Sequence, residues 1–266
     1  MMKEEIFSEW IKNPSIIKEN VSLCIGVFDG VHLGHQKILK RCVKESNYPV
    51  VMTFDKNPKM AVGKQKMVKA LKTKEQRHYL FEKMGFKLQV IIDFSPEIRN
   101  LSAGEFISLL YKKMKIDKLV VGEDFKLGSI EGQAGPKGIE TIMNQYQQGA
   151  QVIIMKPVFD TEGKIISSSL LRKLIIKGNF DVVQILLGCS YQLDLGVTPS
   201  QSFGGELQIK KEDLKQLVPK QGVFDGFWSD SNLITTITID GNMVKINPIN
   251  HSFEKNRFLN IVQKRG

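Results

Sequence analysis

Gly26-Val27-Phe28-Asp29-Gly30-Val31-His32-Leu33-Gly34-His35 lies between two segments of different periodicity. Val21, Leu23 and Ile25 alternate before it, as in a strand. Ile38, Leu39, Cys42 and Val43 follow with helical spacing. The stretch therefore reads as a buried strand, a glycine turn and the start of a helix. Three glycines let the backbone approach a ligand closely, because no Cβ stands in the way. Two histidines flank Gly34 near the first helical turn. Unpaired N–H groups and the positive dipole end at that point favour an anion, usually phosphate. His32 and His35 are the candidate phosphate-facing side chains.

The surrounding chain restricts the class of protein. At 266 residues it has room for one large or two smaller domains, and 42% hydrophobic content supports a buried core. The formal net charge of +10 comes from Lys and Arg scattered along the whole chain. They read as solvated faces or as a match to a polyanion. No aromatic RNA-binding motif or long basic block accompanies them, so a small phosphorylated ligand is preferred to nucleic acid. Cys24, Cys42 and Cys189 are widely spaced, which argues against a disulfide framework or a zinc site. All three have apolar neighbours and are expected as small core residues. Neither a signal-peptide core nor a membrane-length apolar run is present, and the expected setting is a reducing cytoplasm.

Strand-like runs at 21–25, 50–54, 88–94, 118–121 and 151–156 alternate with helix-like runs at 35–46, 74–84, 103–114, 137–148, 168–177 and 180–187. A short helix is expected over 4–12. Ser102 and Glu105 have capping-box spacing, Pro136 suits a first turn, Gly178 a C-terminal cap, and Asn179 an N-cap. The alternation predicts an α/β domain with a parallel sheet covered on both faces, its ligands at the carboxyl ends of the strands. After Gly188 the helical period gives way to short runs at 191–197, 205–210, 222–228, 233–240 and 242–247, with Asp240-Gly241 as a hairpin turn. The expected division is 1–188 and 189–266, the second part mostly β and closed by a helix from about Ser252 carrying Phe253, Phe258, Ile261 and Val262. Gly222-Val223-Phe224-Asp225-Gly226 repeats the pentapeptide at 26–30 but lacks the histidines, and reads as a coincidence of strand-turn composition.

Two further elements join the first. Ser167-Ser168-Ser169 precedes Leu170-Leu171-Arg172 at a helix start. Three hydroxyls there can serve as a cap with spares, and the arginine as a surface charge. Together they also form a phosphate clamp of hydroxyls, backbone N–H groups and a guanidinium fork. Gly122-Glu123-Asp124-Phe125-Lys126-Leu127-Gly128 follows a strand and reads either as a surface loop or as the delivery of Asp124 to a polar ligand or metal.

In this order the elements resemble the prokaryotic FAD synthetase (FMN adenylyltransferase) family, whose domain is usually fused to a riboflavin kinase. The pattern is G-x-F-D-G-x-H-x-G-H, then Thr53-Phe54, G-x-D-F-x-x-G, I-S-S-x-x-x-R and L-L-G, over residues 18–191. The resemblance implies a Rossmann-like nucleotidyltransferase fold and the reaction of ATP with FMN to give FAD and pyrophosphate, with Mg²⁺. It places His32, His35 and Arg172 as catalytic groups. Gly26, Phe28, Asp29, Gly30, Gly34, Ser167, Ser168, Ser169 and Arg172 fall in the ATP and phosphate site. Asp124, Phe125, Phe54 and Asn57 fall on the flavin or metal side, with Mg²⁺ held mainly by the nucleotide phosphates.

Val27 stands where the family usually has Asn, and Lys56-Asn57 where it has Pro-His. Residues 189–266 lack the kinase's P-T-A-N motif and read as a reduced riboflavin-kinase-like β domain without that activity. Two other readings stand beside the enzyme. One is a nucleotidyltransferase with a different phosphorylated acceptor, such as a sugar alcohol phosphate or pantetheine phosphate. The other is a non-catalytic flavin or nucleotide sensor.

Overall fold

The computed structural model describes residues 1–13, 15–55, 69–93, 95–196, 201–203, 205–229, 231, 233–248 and 258–265. Asn57 and Phe253 lie outside the described residues. The chain forms two compact units. The first comprises Met1–Phe28, Gly34–Met67 and His78–Val158; the second comprises Asp29–Leu33, Val68–Arg77 and Phe159–Gly266. The helices at 168–187 thus cluster with the C-terminal strands.

The first unit contains β1 (Lys3–Ile6), α1 (Phe7–Trp10), β2 (Ile17–Ile25), β3 (Tyr48–Phe54), β4 (Leu88–Ile92), α4 (Pro96–Arg99), α5 (Ala103–Tyr111), β5 (Met114–Gly122), α6 (Pro136–Tyr146) and β6 (Gln151–Met155). Most of α2 (Leu33–Glu45) and α3 (Lys74–Met84) also belongs to it. The six strands form one sheet in the order β1-β4-β3-β2-β5-β6, and every pairing is parallel. All five interior residues of β3 are buried, as expected of a strand covered on both faces. Leu23, Val50, Val90, Phe106, Leu119 and Ile139 are among the core side chains. From β2 the chain steps outward through β3 and β4, then crosses back to β5 and β6. The switch point therefore lies between β2 and β5, where such sheets place ligands at their carboxyl edge.

Two N-terminal details differ from the sequence reading. The helix expected over 4–12 is cut to four residues, because Lys3–Ile6 pairs with β4 as an edge strand. The short α4, with Ser95 as its cap and Pro96 in its first turn, has no counterpart in the periodicity. The capping box at Ser102 and Glu105 forms as read, and Pro136 starts α6.

The second unit begins its regular structure with α7 (Ser168–Lys177) and α8 (Phe180–Leu187). Gly178 ends α7 in the left-handed conformation at φ 79°. Asn179 occupies the N-cap position of α8 but makes no side-chain capping bond. The strands β7 (Tyr191–Asp194), β8 (Gln201–Phe203), β9 (Glu206–Lys210), β10 (Gly222–Trp228), β11 (Ile234–Asp240), β12 (Met243–Asn247) and β13 (Phe258–Lys264) follow. They form an antiparallel sheet in the order β7-β13-β10-β11-β12-β9-β8. Burial alternates along β10, β11 and β12, the period of a sheet with one covered face.

The expected C-terminal helix is instead β13. It pairs with β7 on one side and β10 on the other, and this two-sided pairing outweighs the helical spacing of Phe258, Ile261 and Val262. Cys189 also departs from the reading. Cys24 and Cys42 are buried, but Cys189 is exposed, one residue beyond the αL cap at Gly188. The echo at 222–226 is strand throughout, not a turn. Its bulge falls at Asp225/Gly226, where a Cβ on Gly226 would meet the Asn260 carbonyl oxygen at 2.4 Å. Among the described residues no helix is long and apolar enough to cross a membrane.

Candidate active site

In the first unit the candidate residues gather at the carboxyl edge of the parallel sheet. Gly26 continues β2, its N–H donating to the Met52 carbonyl at 3.1 Å. The chain then turns back on itself. Phe28 takes φ 48°, unusual for a residue with a side chain, and its ring folds over Gly26. A Cβ at Gly26 would lie 2.9 Å from that ring. The Phe28 ring is buried and meets the His35 ring edge-on at 5.4 Å and the Phe81 ring at 6.1 Å. His35 is thus oriented by an aromatic contact from its own motif. Thr53 donates its hydroxyl to the Val27 carbonyl at 3.1 Å, fixing the turn to the end of β3. Phe54, the last residue of β3, packs on the core.

At the end of β5, Asp124 is exposed. It folds back toward Gly122, where a Cβ would come within 3.2 Å of its carboxylate. The Phe125 N–H closes that turn on the Gly122 carbonyl at 3.1 Å, and the Phe125 ring packs on the core. Gly26, Phe54 and Asp124 therefore lie at or just past the carboxyl ends of three strands of one sheet.

In the second unit Asp29 is the organising residue. One carboxylate oxygen accepts the Leu71 N–H at 2.8 Å, the other is paired with the Arg172 guanidinium, and its backbone carbonyl accepts the Ser168 hydroxyl at 2.8 Å. Arg172 also donates to the Lys69 carbonyl at 2.7 Å. Its side chain and that of Asp29 are 17% and 13% exposed, so the pair is shielded from solvent. Two N–H groups of Arg172 are thereby committed to the protein. The sequence reads this guanidinium as a phosphate ligand or a surface charge; in the structure it fastens the histidine motif to residues 69–71.

The three serines divide their work. Ser167 caps α7, its hydroxyl accepting from the Leu170 N–H at 3.2 Å. Ser168 is spent on Asp29. Ser169 is exposed in the first helical turn. Gly30, at φ 86°, brings its backbone against Leu71, where a Cβ would lie 2.9 Å from a methyl carbon. Val31 has φ 48°, a conformation that strains a β-branched residue. With Phe28, two side-chain-bearing residues of this short stretch are left-handed, and strain of that kind persists where surrounding contacts enforce it. His32 is 5% exposed, and burial pushes its pKa down to about 4, so the imidazole is neutral at pH 7.

The sequence reading missed Lys72. It is 5% exposed, and the segment that carries it is fixed on both sides. Gln216 donates to the Leu71 carbonyl at 3.0 Å, and Thr73 donates to Asp194 at 2.8 Å. Burial lowers the ammonium pKa, and Cys189 and Asp29 oppose that shift. One lysine among 38 basic residues carries no signal in the sequence.

Comparison with known proteins adds the following. The profile of the FAD synthetase family matches residues 15–170. A bifunctional riboflavin kinase/FMN adenylyltransferase of Bacillus subtilis is 30% identical over 184 residues, covering 66% of this chain and 57% of that protein. The protein of the same description from Escherichia coli is 29% identical over 217 residues, 78% of this chain and 67% of that one. One from Buchnera aphidicola is 27% identical over 204 residues, 74% and 64% respectively. The chain thus matches between 57% and 67% of the length of these relatives. A crystal structure described as a macrolide-efflux protein from Streptococcus pneumoniae shares the fold. Its TM-score is 0.79 at 21% identity, covering 100% of this chain and 91% of that one.

Proposed function

The chain belongs to the FAD synthetase family, and from that premise we propose that it transfers AMP from ATP to FMN, releasing pyrophosphate. The observation that carries this reading is the set of bonds on Asp29. That residue joins the glycine–histidine motif to Ser168 and Arg172, so elements far apart in sequence form one polar cluster. An anion is the natural ligand of such a cluster, which combines a helix N-terminus with an arginine.

The terminal phosphate oxygen of FMN is already nucleophilic. It attacks the α-phosphorus of ATP, a P–O bond forms, and the bond to the β-phosphate oxygen breaks with pyrophosphate leaving. No covalent enzyme intermediate is required. Catalysis consists of positioning and stabilisation of charge on the transferring group. His32 and His35 donate to the α-phosphoryl oxygens, His32 as a neutral imidazole. The remaining N–H groups of Arg172, the Ser169 hydroxyl and the first-turn amides of α7 hold the β and γ phosphates. The family resemblance assigns Asp124, Phe125 and Phe54 to the flavin or metal side.

Magnesium arriving with the nucleotide would neutralise phosphate charge. Among the described residues no group of three or more His, Cys, Asp or Glu side chains forms a protein cage, and Asp29 is already engaged. The nucleotide phosphates would supply most of the oxygens for such an ion.

Incubation with ATP, Mg²⁺ and FMN, followed by chromatography, tests the proposal, and FAD is the expected product. Binding of both nucleotides without turnover points instead to a sensor. Turnover with a different phosphorylated acceptor and not with FMN points to the third reading. Residues 189–266 are proposed to lack riboflavin kinase activity, because no P-T-A-N motif is present; formation of FMN from riboflavin and ATP overturns that. The setting is proposed to be cytoplasmic, with neither nucleic acid nor membrane as partner.

A further inference from the structure

We propose that Lys72 is the cation that receives the leaving pyrophosphate. The inference rests on the nucleotidyl-transfer reading above and assigns a residue that the family motifs do not include.

Three observations carry it. First, the Lys72 side chain is buried but makes no hydrogen bond among the described residues, whereas the other buried lysine, Lys113, donates to the carbonyls of Asn13 and Ser15. Burial of the side chain strips most of the water from its ammonium, and an anion relieves that cost. Second, the charge around it is compensated only in part. Its electrostatic neighbours are Asp29 and Cys189, and the Asp29 carboxylate is already shared by Arg172 and the Leu71 amide. One carboxylate faces two cations, leaving a positive charge for a ligand.

Third, the backbone on either side of Lys72 is fixed within the cluster assigned to the triphosphate. Its neighbour Leu71 donates to Asp29, and Lys69, on the same segment, accepts from Arg172. Ala70 pairs with Gln216, and Thr73 is bonded to Asp194. Residues 69–73 are thus fixed by contacts on both sides before any ligand arrives. Negative charge grows on the β-phosphate oxygen as its bond to the α-phosphorus breaks, and an ammonium carried on this fixed segment stabilises that change.

The test uses Lys72→Met, which keeps the length of the side chain and removes its charge, and Lys72→Arg, which keeps the charge. Inorganic pyrophosphate is titrated into each full-length protein by calorimetry, and thermal midpoints are measured without ligand. The expected result is pyrophosphate binding weakened about tenfold or more in Lys72→Met and largely retained in Lys72→Arg, with the empty Lys72→Met protein melting at or above the wild-type temperature. Wild-type affinity in Lys72→Met overturns the proposal. So does a lower midpoint or failure of that variant to fold, either of which marks Lys72 as a structural cation. Absence of pyrophosphate binding by the wild-type protein overturns it as well. FAD synthesis by the wild type is assayed in parallel. FAD formation with Lys72-independent pyrophosphate binding sinks this inference alone. Lys72-dependent binding without FAD formation sinks the FMN reading alone.

Discussion

Ser168 donates its hydroxyl to the backbone carbonyl of Asp29 at 2.8 Å across 139 residues of sequence. This bond and the Asp29–Arg172 pair place the start of α7 beside the middle of the glycine–histidine motif. The cluster is thus built from backbone and side chain alike, and its parts are expected to respond differently to substitution.

Asp29→Ala removes the acceptor for both Arg172 and the Leu71 amide in a shielded setting. A loss of about 2–4 kcal/mol in urea unfolding is expected, together with at least about a tenfold fall in FAD formation. Unchanged stability would show that the pair contributes nothing to the fold.

The serines separate capping from binding. Ser167→Ala loses the α7 cap, at a cost of about 1 kcal/mol of stability. Ser169→Ala, at an exposed position, is expected to leave stability within about 0.5 kcal/mol and to raise the KM for ATP. Equal effects of the two on denaturation midpoint would refute this division.

His32 sets a pH dependence. Its folded pKa of about 4 is below the unfolded value of 6.5, so between these pH values the unfolded chain binds the extra proton. The neutral buried form therefore favours folding fully above about pH 6.5, and this contribution is lost as pH falls toward 4. It amounts to on the order of 3 kcal/mol across the window. Unfolding curves of wild type and His32→Gln at pH 4.5 and 7.5 check it: the acid-side slope should be shallower in the variant.

Gly26→Ala tests the aromatic turn. The added Cβ would lie 2.9 Å from the Phe28 ring, which is itself confined by Phe81 and His35. A destabilisation of about 1–3 kcal/mol is expected, with turnover reduced as the His35 ring shifts. Wild-type turnover per folded molecule would show that the Phe28 contact does not position His35.

Much of this arrangement could be read along the chain because it depends on neighbours within a few residues. The capping box at Ser102, the αL cap at Gly178 and the buried run of β3 are local patterns, and each forms as its residues suggest. The H-x-G-H motif and the serine–arginine element were legible for the same reason. Only the tertiary structure decided what depends on distant partners. Phe258–Lys264 has helical spacing yet is a strand, because β7 and β10 supply hydrogen bonds on both sides. Cys189 is exposed despite its apolar neighbours. Gly-Val-Phe-Asp-Gly is a strained turn at 26–30 and a bulged strand at 222–226, since the same five residues meet different surroundings. Asp29 as the tie between Arg172 and residues 69–71, and Lys72 as a buried cation, follow from contacts more than forty residues apart in sequence, which no local pattern encodes.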